Sequence, residues 1–181
     1  MKYDQTIITS KGLVVHIRNG AASDGSVVLD NFHLTHAETD YLRTYPDENH
    51  FDAEQESRYL EKKAASPNEI ELIAFVDGKV AGTAGIEAIG AQDKVAHRAE
   101  FGISILKESW GLGIGRALME ACIQCAKAAG YAQLELDVVA ENARAISMYQ
   151  TAGFVEYGRN PKGFRSRNAG FQELISMRLE L

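Results

Sequence analysis

The stretch that decides the fold is residues 101–130, which read FGISILKESWGLGIGRALMEACIQCAKAAG. An apolar strand pattern leads into a loop with Gly111, Gly113 and Gly115 on alternate residues, and the loop continues directly into a helical pattern. A glycine-rich turn before a helix presents several backbone N–H groups to an anion at the positive end of the helix dipole. The stretch therefore predicts an anion-binding loop between a strand and a helix.

Two common phosphate-binding motifs do not match this loop. A P-loop would continue from its last glycine with Lys and then Ser or Thr, but Gly115 is followed by Arg116 and Ala117. The dinucleotide-binding pattern G-x-G-x-x-G fails when it is counted from Gly111 or from Gly113, and the loop does not follow the first strand of the chain. The loop therefore indicates an anion site of another kind.

Hydrophobic alternation and β-branched residues predict strands along most of the chain. Asp77 and Gly78 join two of them in a tight hairpin, because both residues tolerate the positive φ values that such a turn requires. The basic run at residues 159–167 is predicted to be a loop with a solvated face. The predicted strands are residues 12–19, 70–76, 79–89, 97–106, 132–139, 154–158 and 174–181.

Helical patterns occupy several of the connections between these strands. Residues 52–65 start with Asp52 as a natural N-cap and place acidic residues in the first turn and lysines in the last. The helix after the glycine loop stops at Gly130, and a further helix runs from its cap at Asn142 to residue 151. The looser pattern of residues 30–44 indicates one or two helical pieces.

Composition restricts the class of protein. With 181 residues and 45% hydrophobic content, residues 1–181 are expected to form a single domain with its own core. The net charge of −6 gives no reason to expect a nucleic-acid or membrane partner. No apolar run approaches the roughly 20 residues of a membrane-spanning helix, and residues 1–12 lack the apolar core of a signal peptide, so a cytoplasmic protein is expected.

Cys122 and Cys125 have the C-x-x-C spacing that in another context indicates a redox pair or half of a zinc site. Both lie within a helical pattern, and no second Cys or His pair at metal-ligand spacing accompanies them. They are therefore predicted to be small core residues, and no metal is expected.

The residues around the glycine loop resemble the GNAT superfamily of acyl-CoA-dependent N-acetyltransferases. The family signature Arg/Gln-x-x-Gly-x-Gly/Ala is matched by residues 110–115 (WGLGIG), with Trp110 in place of Arg or Gln. The resemblance covers the chain from about Asp77 to the C-terminus and, more loosely, the front third. A second signature, an Asn followed by an Ala, a Tyr and Gly-Phe, is met by Asn142, Ala145, Tyr149, Gly153 and Phe154.

The resemblance implies a mixed α/β fold with a central, mostly antiparallel sheet of about six to seven strands, flanked by helices. Acetyl-CoA would bind as a co-substrate where the strand with Ile103 splays from the strand of residues 134–138, with its pyrophosphate on the N–H groups of the glycine loop. The cofactor-binding residues implied are Ile103, Ser104, Ile105, Trp110, Gly111, Leu112, Gly113, Ile114, Gly115, Arg116, Asn142 and Tyr149.

Acetyl transfer requires a neutral amine to attack the thioester and a proton for the leaving thiolate. Tyr149 follows Asn142 by two helical turns and so lies on the same face. By resemblance to the family, Tyr149 is the expected general acid. Proton transfer from a phenol, with a pKa of about 10, to a thiolate whose thiol has a pKa of about 8.5 is mildly uphill at worst. Glu100 is expected to act as the general base, either by accepting the proton directly or through water. The alternative is that its carboxylate only contacts the substrate.

These residues together predict direct acetyl transfer to a primary amine of a small molecule or of a peptide or protein N-terminus. The alternative is a non-catalytic module that binds acyl-CoA as a sensor or presents a protein surface. By resemblance, a homodimer is expected. The front segment is expected to wall the acceptor pocket through Tyr41, Tyr45, His50 and Phe51.

Overall fold

A computed structural model describes residues 1–181 and contains one eight-stranded sheet with the strand order β1-β2-β3-β4-β5-β6-β8-β7. Every neighbouring pair of strands is antiparallel except β5 and β6, which are parallel. The strands are β1 (Asp4–Ile8), β2 (Val14–Asn19), β3 (Ile70–Val76), β4 (Lys79–Ala88), β5 (Arg98–Ile105), β6 (Gln133–Val139), β7 (Val155–Ser166) and β8 (Gly170–Glu180). The helices are α1 (Gly25–Glu38), α2 (Ala53–Ala65), α3 (Ile114–Ala128) and α4 (Ala143–Thr151). The mixed, mostly antiparallel architecture predicted from the sequence is confirmed.

Two edge regions differ from the prediction. β1 is an additional strand that pairs with β2 along its whole length, and most of its side chains are exposed. The prediction that residues 159–167 form a loop is wrong for residues 159–166, because β7 continues to Ser166 and pairs with β8 through two register shifts. An exposed edge strand needs no hydrophobic alternation, so neither strand carries the sequence pattern of a buried one.

The front helices also differ from their predicted limits. α1 begins at Gly25 and ends at Glu38, earlier than the predicted residues 30–44. A bidentate ion pair from Arg18 to Asp24, with distances of 2.7 and 2.8 Å, fixes the chain just before α1. A Cβ atom at Gly25 would come within 2.6 Å of the Ala53 carbonyl oxygen, so glycine permits α1 and α2 to pack closely.

The sheet has a different helical layer on each face. α3 packs against β3, β4 and β5 on one face, where 26 buried residues form the main core. Cys122 and Cys125 are unpaired and buried in this core, as predicted. α1 and α2 cover the other face, where Val28, Leu60 and Ile73 form a smaller cluster. None of the helices combines the length and the apolarity that crossing a bilayer requires.

The parallel strands β5 and β6 separate in the middle of the sheet. They pair over only three residue pairs, from Arg98 opposite Gln133 to Glu100 opposite Glu135, and then diverge. At the paired end, Arg98 donates two hydrogen bonds to Glu135 at 2.5 and 2.7 Å, and this guanidinium holds the pKa of Glu135 below its usual value. The central splay predicted for the sheet is confirmed.

Candidate active site

The gap between β5 and β6 opens into a cleft of about 900 Å³. One part of it, which we call the loop end, is lined by residues of the glycine loop and of the start of α4: Ser109, Trp110, Gly111, Gly113, Gly115, Arg116, Glu141, Asn142, Ala143, Arg144, Ala145 and Met148. The opposite part, the α1/α2 end, lies between these two helices and the sheet. The residues that define the α1/α2 end are Phe32, His36, Tyr41, Arg43, Tyr59, Glu71, Thr83, Glu87 and Glu100.

The glycine loop holds backbone N–H groups free at the loop end. Gly111 and Gly113 have φ values of +78° and +88°, which residues with a Cβ rarely adopt, and Gly113 is the N-cap of α3. No backbone N–H group of residues 111–116 donates a hydrogen bond to another backbone group, whereas that of Ala117 donates to the Gly113 carbonyl at 3.1 Å. These free donors lie at the positive end of the α3 dipole, so the loop can bind an anion.

Trp110 connects the loop to the end of β5. Its indole Nε1–H donates to the Ile105 carbonyl at 2.8 Å, and the Arg144 guanidinium lies 5.1 Å from the ring centroid. Arg144, on α4, is a cation at the loop end that the sequence reasoning missed. Arg116 is also present, but it pairs with Glu120 at 2.9 Å. The loop end therefore combines free N–H groups with two guanidinium groups.

The structure brings most of the predicted cofactor residues to this cleft. Two of them, Leu112 and Ile114, are not among the residues that line it. Ile114 is fully buried in the core and the Leu112 side chain is exposed, so only their backbone groups can serve a ligand. The other ten line the cleft: Ile103, Ser104, Ile105, Trp110, Gly111, Gly113, Gly115, Arg116, Asn142 and Tyr149.

Asn142 and Tyr149 both belong to α4 or its cap. Asn142 is the N-cap, as predicted, and its Oδ1 accepts a hydrogen bond from the Ala145 N–H at 3.2 Å. Tyr149 is only 6% exposed and packs edge-on against Phe101, with ring centroids 6.2 Å apart. Burial raises the pKa of Tyr149 well above its usual value, so the phenol keeps its proton at neutral pH.

Glu100 lies at the rim of the α1/α2 end. Its Oε1 accepts a hydrogen bond from Arg43 Nη2 at 2.9 Å, and both side chains are well exposed. Exposed ion pairs of this kind contribute about 0–1 kcal/mol to stability, so the pair can open without a large energetic cost. Glu100 therefore faces the cleft with its charge balanced by a solvent-exposed cation.

The front segment contributes fewer residues to the cleft than the sequence predicts. Tyr41 lines it, but Tyr45 does not, because its hydroxyl donates to Asp40 at 3.0 Å and its ring packs under Arg167. Phe51 lines a smaller cavity of about 350 Å³, and His50 lines neither. Of the four residues expected to wall the acceptor pocket, only Tyr41 lines the main cleft, and Phe51 lines the smaller cavity.

The deep part of the α1/α2 end contains polar residues that the sequence reasoning missed. Glu87 pairs with Lys63 at 2.7 Å and accepts a hydrogen bond from Tyr59 at 3.2 Å. The neighbouring Thr83 hydroxyl favours the charged form of Glu71, yet desolvation dominates and raises the pKa of Glu71 to about 7. The one available signal was a lone carboxylate inside the apolar run IELIAFV of β3. The structure contains no cluster of three or more His, Cys, Asp or Glu side chains arranged to hold a metal ion.

Comparison with known families agrees with this geometry. The model of the acetyltransferase (GNAT) family matches residues 34–154, a range that includes the glycine loop and Tyr149. The chain belongs to the GNAT family. It is also 30% identical over 120 residues to the L-amino acid N-acetyltransferase AaaT of Escherichia coli strain K12, an alignment that covers 66% of this chain and 73% of that protein.

Solved structures of GNAT proteins have the same fold. A GNAT-family acetyltransferase from Streptococcus pneumoniae superposes with a TM-score of 0.88 at 30% identity, covering 92% of this chain and 99% of that one. The putative acetyltransferase yncA from Salmonella typhimurium, solved with its cofactor acetyl-CoA, gives a TM-score of 0.80 at 19% identity and covers 92% of this chain and 94% of that one. The GNAT fold predicted from the two sequence signatures is confirmed.

Proposed function

We propose that this GNAT protein transfers the acetyl group of acetyl-CoA directly to the primary amine of a small molecule. The observation that carries the proposal is a single cleft with free N–H groups at its loop end, the buried phenol of Tyr149 beside it and carboxylates at its α1/α2 end. The similarity to an L-amino acid N-acetyltransferase supports a small acceptor over a peptide or protein N-terminus.

Acetyl-CoA would lie across the sheet with its pyrophosphate at the loop end. The N–H groups of residues 111–116 would bind the phosphate oxygens, with Arg116 and Arg144 as nearby cations. The pantetheine arm would run along Ile103, Ser104 and Ile105, where β5 has lost its β6 partner and can pair with amide groups as it would with a strand.

Tyr149 would donate the proton that the leaving thiolate needs. Its raised pKa favours the neutral phenol, which is the form that can act as an acid. Transfer without a covalent enzyme intermediate is supported by the cysteines, because burial raises the pKa of both Cys122 and Cys125 and keeps them as unreactive thiols.

Glu100 is the carboxylate that the sequence suggests as the general base. It faces the cleft, and its exposed pair with Arg43 would have to open before Glu100 could accept a proton directly or through water. The Arg43 guanidinium, released from Glu100, would be available to an acidic group of the acceptor, such as the carboxylate of an amino acid.

The second candidate is a non-catalytic acyl-CoA-binding module, in which the same cleft holds the cofactor without transfer. Calorimetry with acetyl-CoA, combined with a thiol-release assay over a panel of amino acids, polyamines and peptide amines, separates the two. Binding with thiol release that depends on one amine supports the transferase. Binding without release for any amine supports the module.

We also expect a homodimer, because β7 is an edge strand of the sheet and exposes Val155 and Tyr157. Size-exclusion chromatography with light scattering tests this expectation, since a dimer has twice the chain mass of 19.8 kDa. A species at the mass of one chain over the whole concentration range would contradict it.

A further inference from the structure

Three neighbouring strands carry a row of residues that lie directly opposite one another. Glu71 on β3 pairs in register with Gly85 on β4, which in turn pairs with Gly102 on β5. Directly opposed residues in antiparallel strands project to the same face of the sheet. We call this row, Glu71, Gly85 and Gly102, the glycine trough.

The two glycines leave the sheet bare between Glu71 and the β5–β6 gap. A Cβ atom added at Gly85 would collide with Glu71 Oε2, which shows that the carboxyl group lies over Gly85 and points along the row. A Cβ atom at Gly102 would meet no atom within 4 Å. Strands in a sheet are about 4.8 Å apart, so an amine over Gly102 would lie between the Glu71 carboxyl group and the gap.

Glu71 differs from the other two carboxylates at the α1/α2 end in having no cation in contact. Glu87 is bound by Lys63 at 2.7 Å, and Glu100 is bound by Arg43 at 2.9 Å. The Thr83 hydroxyl is the neighbouring uncharged group that favours the charged form of Glu71 and so lowers its pKa. Of the three carboxylates at this end, Glu71 is therefore the one that can pair with a cationic acceptor without first losing another cation. It also has an oxygen free to accept a proton.

We propose that Glu71 binds the ammonium group of the acceptor over Gly102 and removes one of its protons. This assignment rests on the proposed acetyltransferase function, and it gives Glu71 the role for which Glu100 is the sequence-based candidate. It also identifies the acceptor as an amine that arrives in its protonated form, which the Glu71 carboxylate attracts because it has no cation in contact.

The proton transfers balance over one turnover. Glu71 takes a proton from the ammonium group, and the nitrogen lone pair then forms the C–N bond to the thioester carbonyl carbon. As the C–S bond breaks, the thiolate takes the Tyr149 proton, and the second proton that the nitrogen loses on becoming an amide restores the phenol. Glu71 finally releases its proton to solvent, so the products are the acetamide, free CoA thiol and one proton.

The surroundings of Glu71 suit a base that works near neutral pH. Burial raises the pKa of Glu71 to about 7, where a carboxylate is a much stronger base than in water. The titratable and charged groups around it are Glu56, Tyr59 and Lys63 of α2, Glu87 of β4, Glu100 of β5 and His36 of α1, with Cys122 of α3 on the opposite face of the sheet. Lys63 favours the charged form, while Glu56 and Glu87 oppose it.

The test is the pH dependence of kcat/KM for the acceptor, measured by thiol release with acetyl-CoA for the full chain and its variants. Glu71→Gln is expected to lower kcat/KM roughly 100-fold or more and to remove the ionisation near pH 7, leaving only that of the acceptor. Thr83→Val removes the hydroxyl that favours the charged form, so the ionisation is expected to move to higher pH. Glu61→Gln, an exposed change on α2, is the matched control and is expected to behave as the parent.

The same assay contains the results that would overturn the proposal. If Glu71→Gln has the rate and the pH profile of the parent, Glu71 is not the general base. If the rate falls but the ionisation near pH 7 remains, Glu71 has a structural role instead of transferring a proton. If the ionisation near pH 7 disappears from the kcat/KM profile of Glu100→Gln but remains in that of Glu71→Gln, the base is Glu100. A parent protein that acetylates no amine would overturn the proposed function and this assignment together, a pattern distinct from the other three.

Discussion

Replacing Glu71 by Gln is expected to change how the free energy of unfolding depends on pH. Burial raises the pKa of Glu71 from 4.5 to about 7 in the folded protein, whereas the unfolded chain ionises it near the ordinary value. Between these two values the folded state holds a proton that the unfolded state has released. Stability from this group is therefore greatest at low pH and falls as the pH rises through the window from about 4.5 to 7.

The size of the effect follows from the same two values. Each pKa unit corresponds to about 1.4 kcal/mol, so ionising Glu71 in its folded environment costs roughly 3 kcal/mol at a pH above 7. Glu71→Gln removes this cost because the amide does not ionise. Relative to the parent, the variant should therefore become more stable by up to roughly 3 kcal/mol between pH 4.5 and pH 8.

Urea denaturation at several pH values between 4.5 and 8, followed by circular dichroism and by the fluorescence of Trp110, measures this difference. Comparing variant with parent cancels every other ionisable group that the substitution leaves unchanged. The control is Glu61→Gln, whose exposed carboxylate should give a constant difference. A constant difference for Glu71→Gln would refute the raised pKa of Glu71, and a difference that favours the parent as the pH rises would show an ion pair at this position instead.

Three further substitutions test the cofactor half of the cleft. Tyr149→Phe is expected to lower kcat by roughly 100-fold or more and to leave the acetyl-CoA Kd unchanged by calorimetry, with Tyr3→Phe as control. Gly113→Ala should cost about 1–2 kcal/mol in urea denaturation and weaken acetyl-CoA binding, because its φ is +88° and the new Cβ would lie 3.0 Å from Thr9. Asn142→Ala should cost about 1 kcal/mol by losing the α4 cap and should raise the acetyl-CoA Kd.

Each of these substitutions has a contrary result. Full turnover in Tyr149→Phe would remove this phenol from the reaction. Unchanged acetyl-CoA binding by Gly113→Ala would show that the glycine loop is not the phosphate site. An Asn142→Ala protein that loses stability but keeps its cofactor affinity would restrict Asn142 to capping.

Elements that carry a local signal were predictable from the sequence. The hairpin between β3 and β4 follows from Asp77 and Gly78, which have φ values of +49° and +77°, as the tight turn requires. The limits of α2 follow from Asp52, whose side chain accepts a hydrogen bond from the Gln55 N–H at 2.8 Å. In both places the residues that determine the backbone conformation lie within the turn or next to the helix that they define.

Features that depend on pairing between distant strands were not predictable in this way. β1 and the second half of β7 are mostly exposed, and they are ordered by hydrogen bonds to β2 and β8 rather than by their own pattern. The glycine trough, which we propose to bind the ammonium group of the acceptor, also depends on the pairing of distant strands. Glu71, Gly85 and Gly102 meet only through the registers of β3, β4 and β5, and a single sequence does not specify those registers.

The glycine loop itself was identified from its spacing, but the acceptor side was not. Glu100 lies on the strand that enters the loop, and this position made it the candidate base from sequence. The structure adds Glu71 and Arg144, one at each end of the cleft, from strands and helices that the motif does not contain. A motif thus indicates the family's shared cofactor chemistry, whereas the residues that we propose to bind the acceptor come together only in the assembled sheet.

The most direct test of the function is a single incubation of the protein with acetyl-CoA and each of a set of primary amines, including L-amino acids, polyamines and a peptide. Free thiol and the acetylated product are measured together, the product by mass spectrometry. We expect at least one small amine to gain one acetyl group with release of an equal amount of thiol. Saturable acetyl-CoA binding without an acetylated product from any amine would contradict this account.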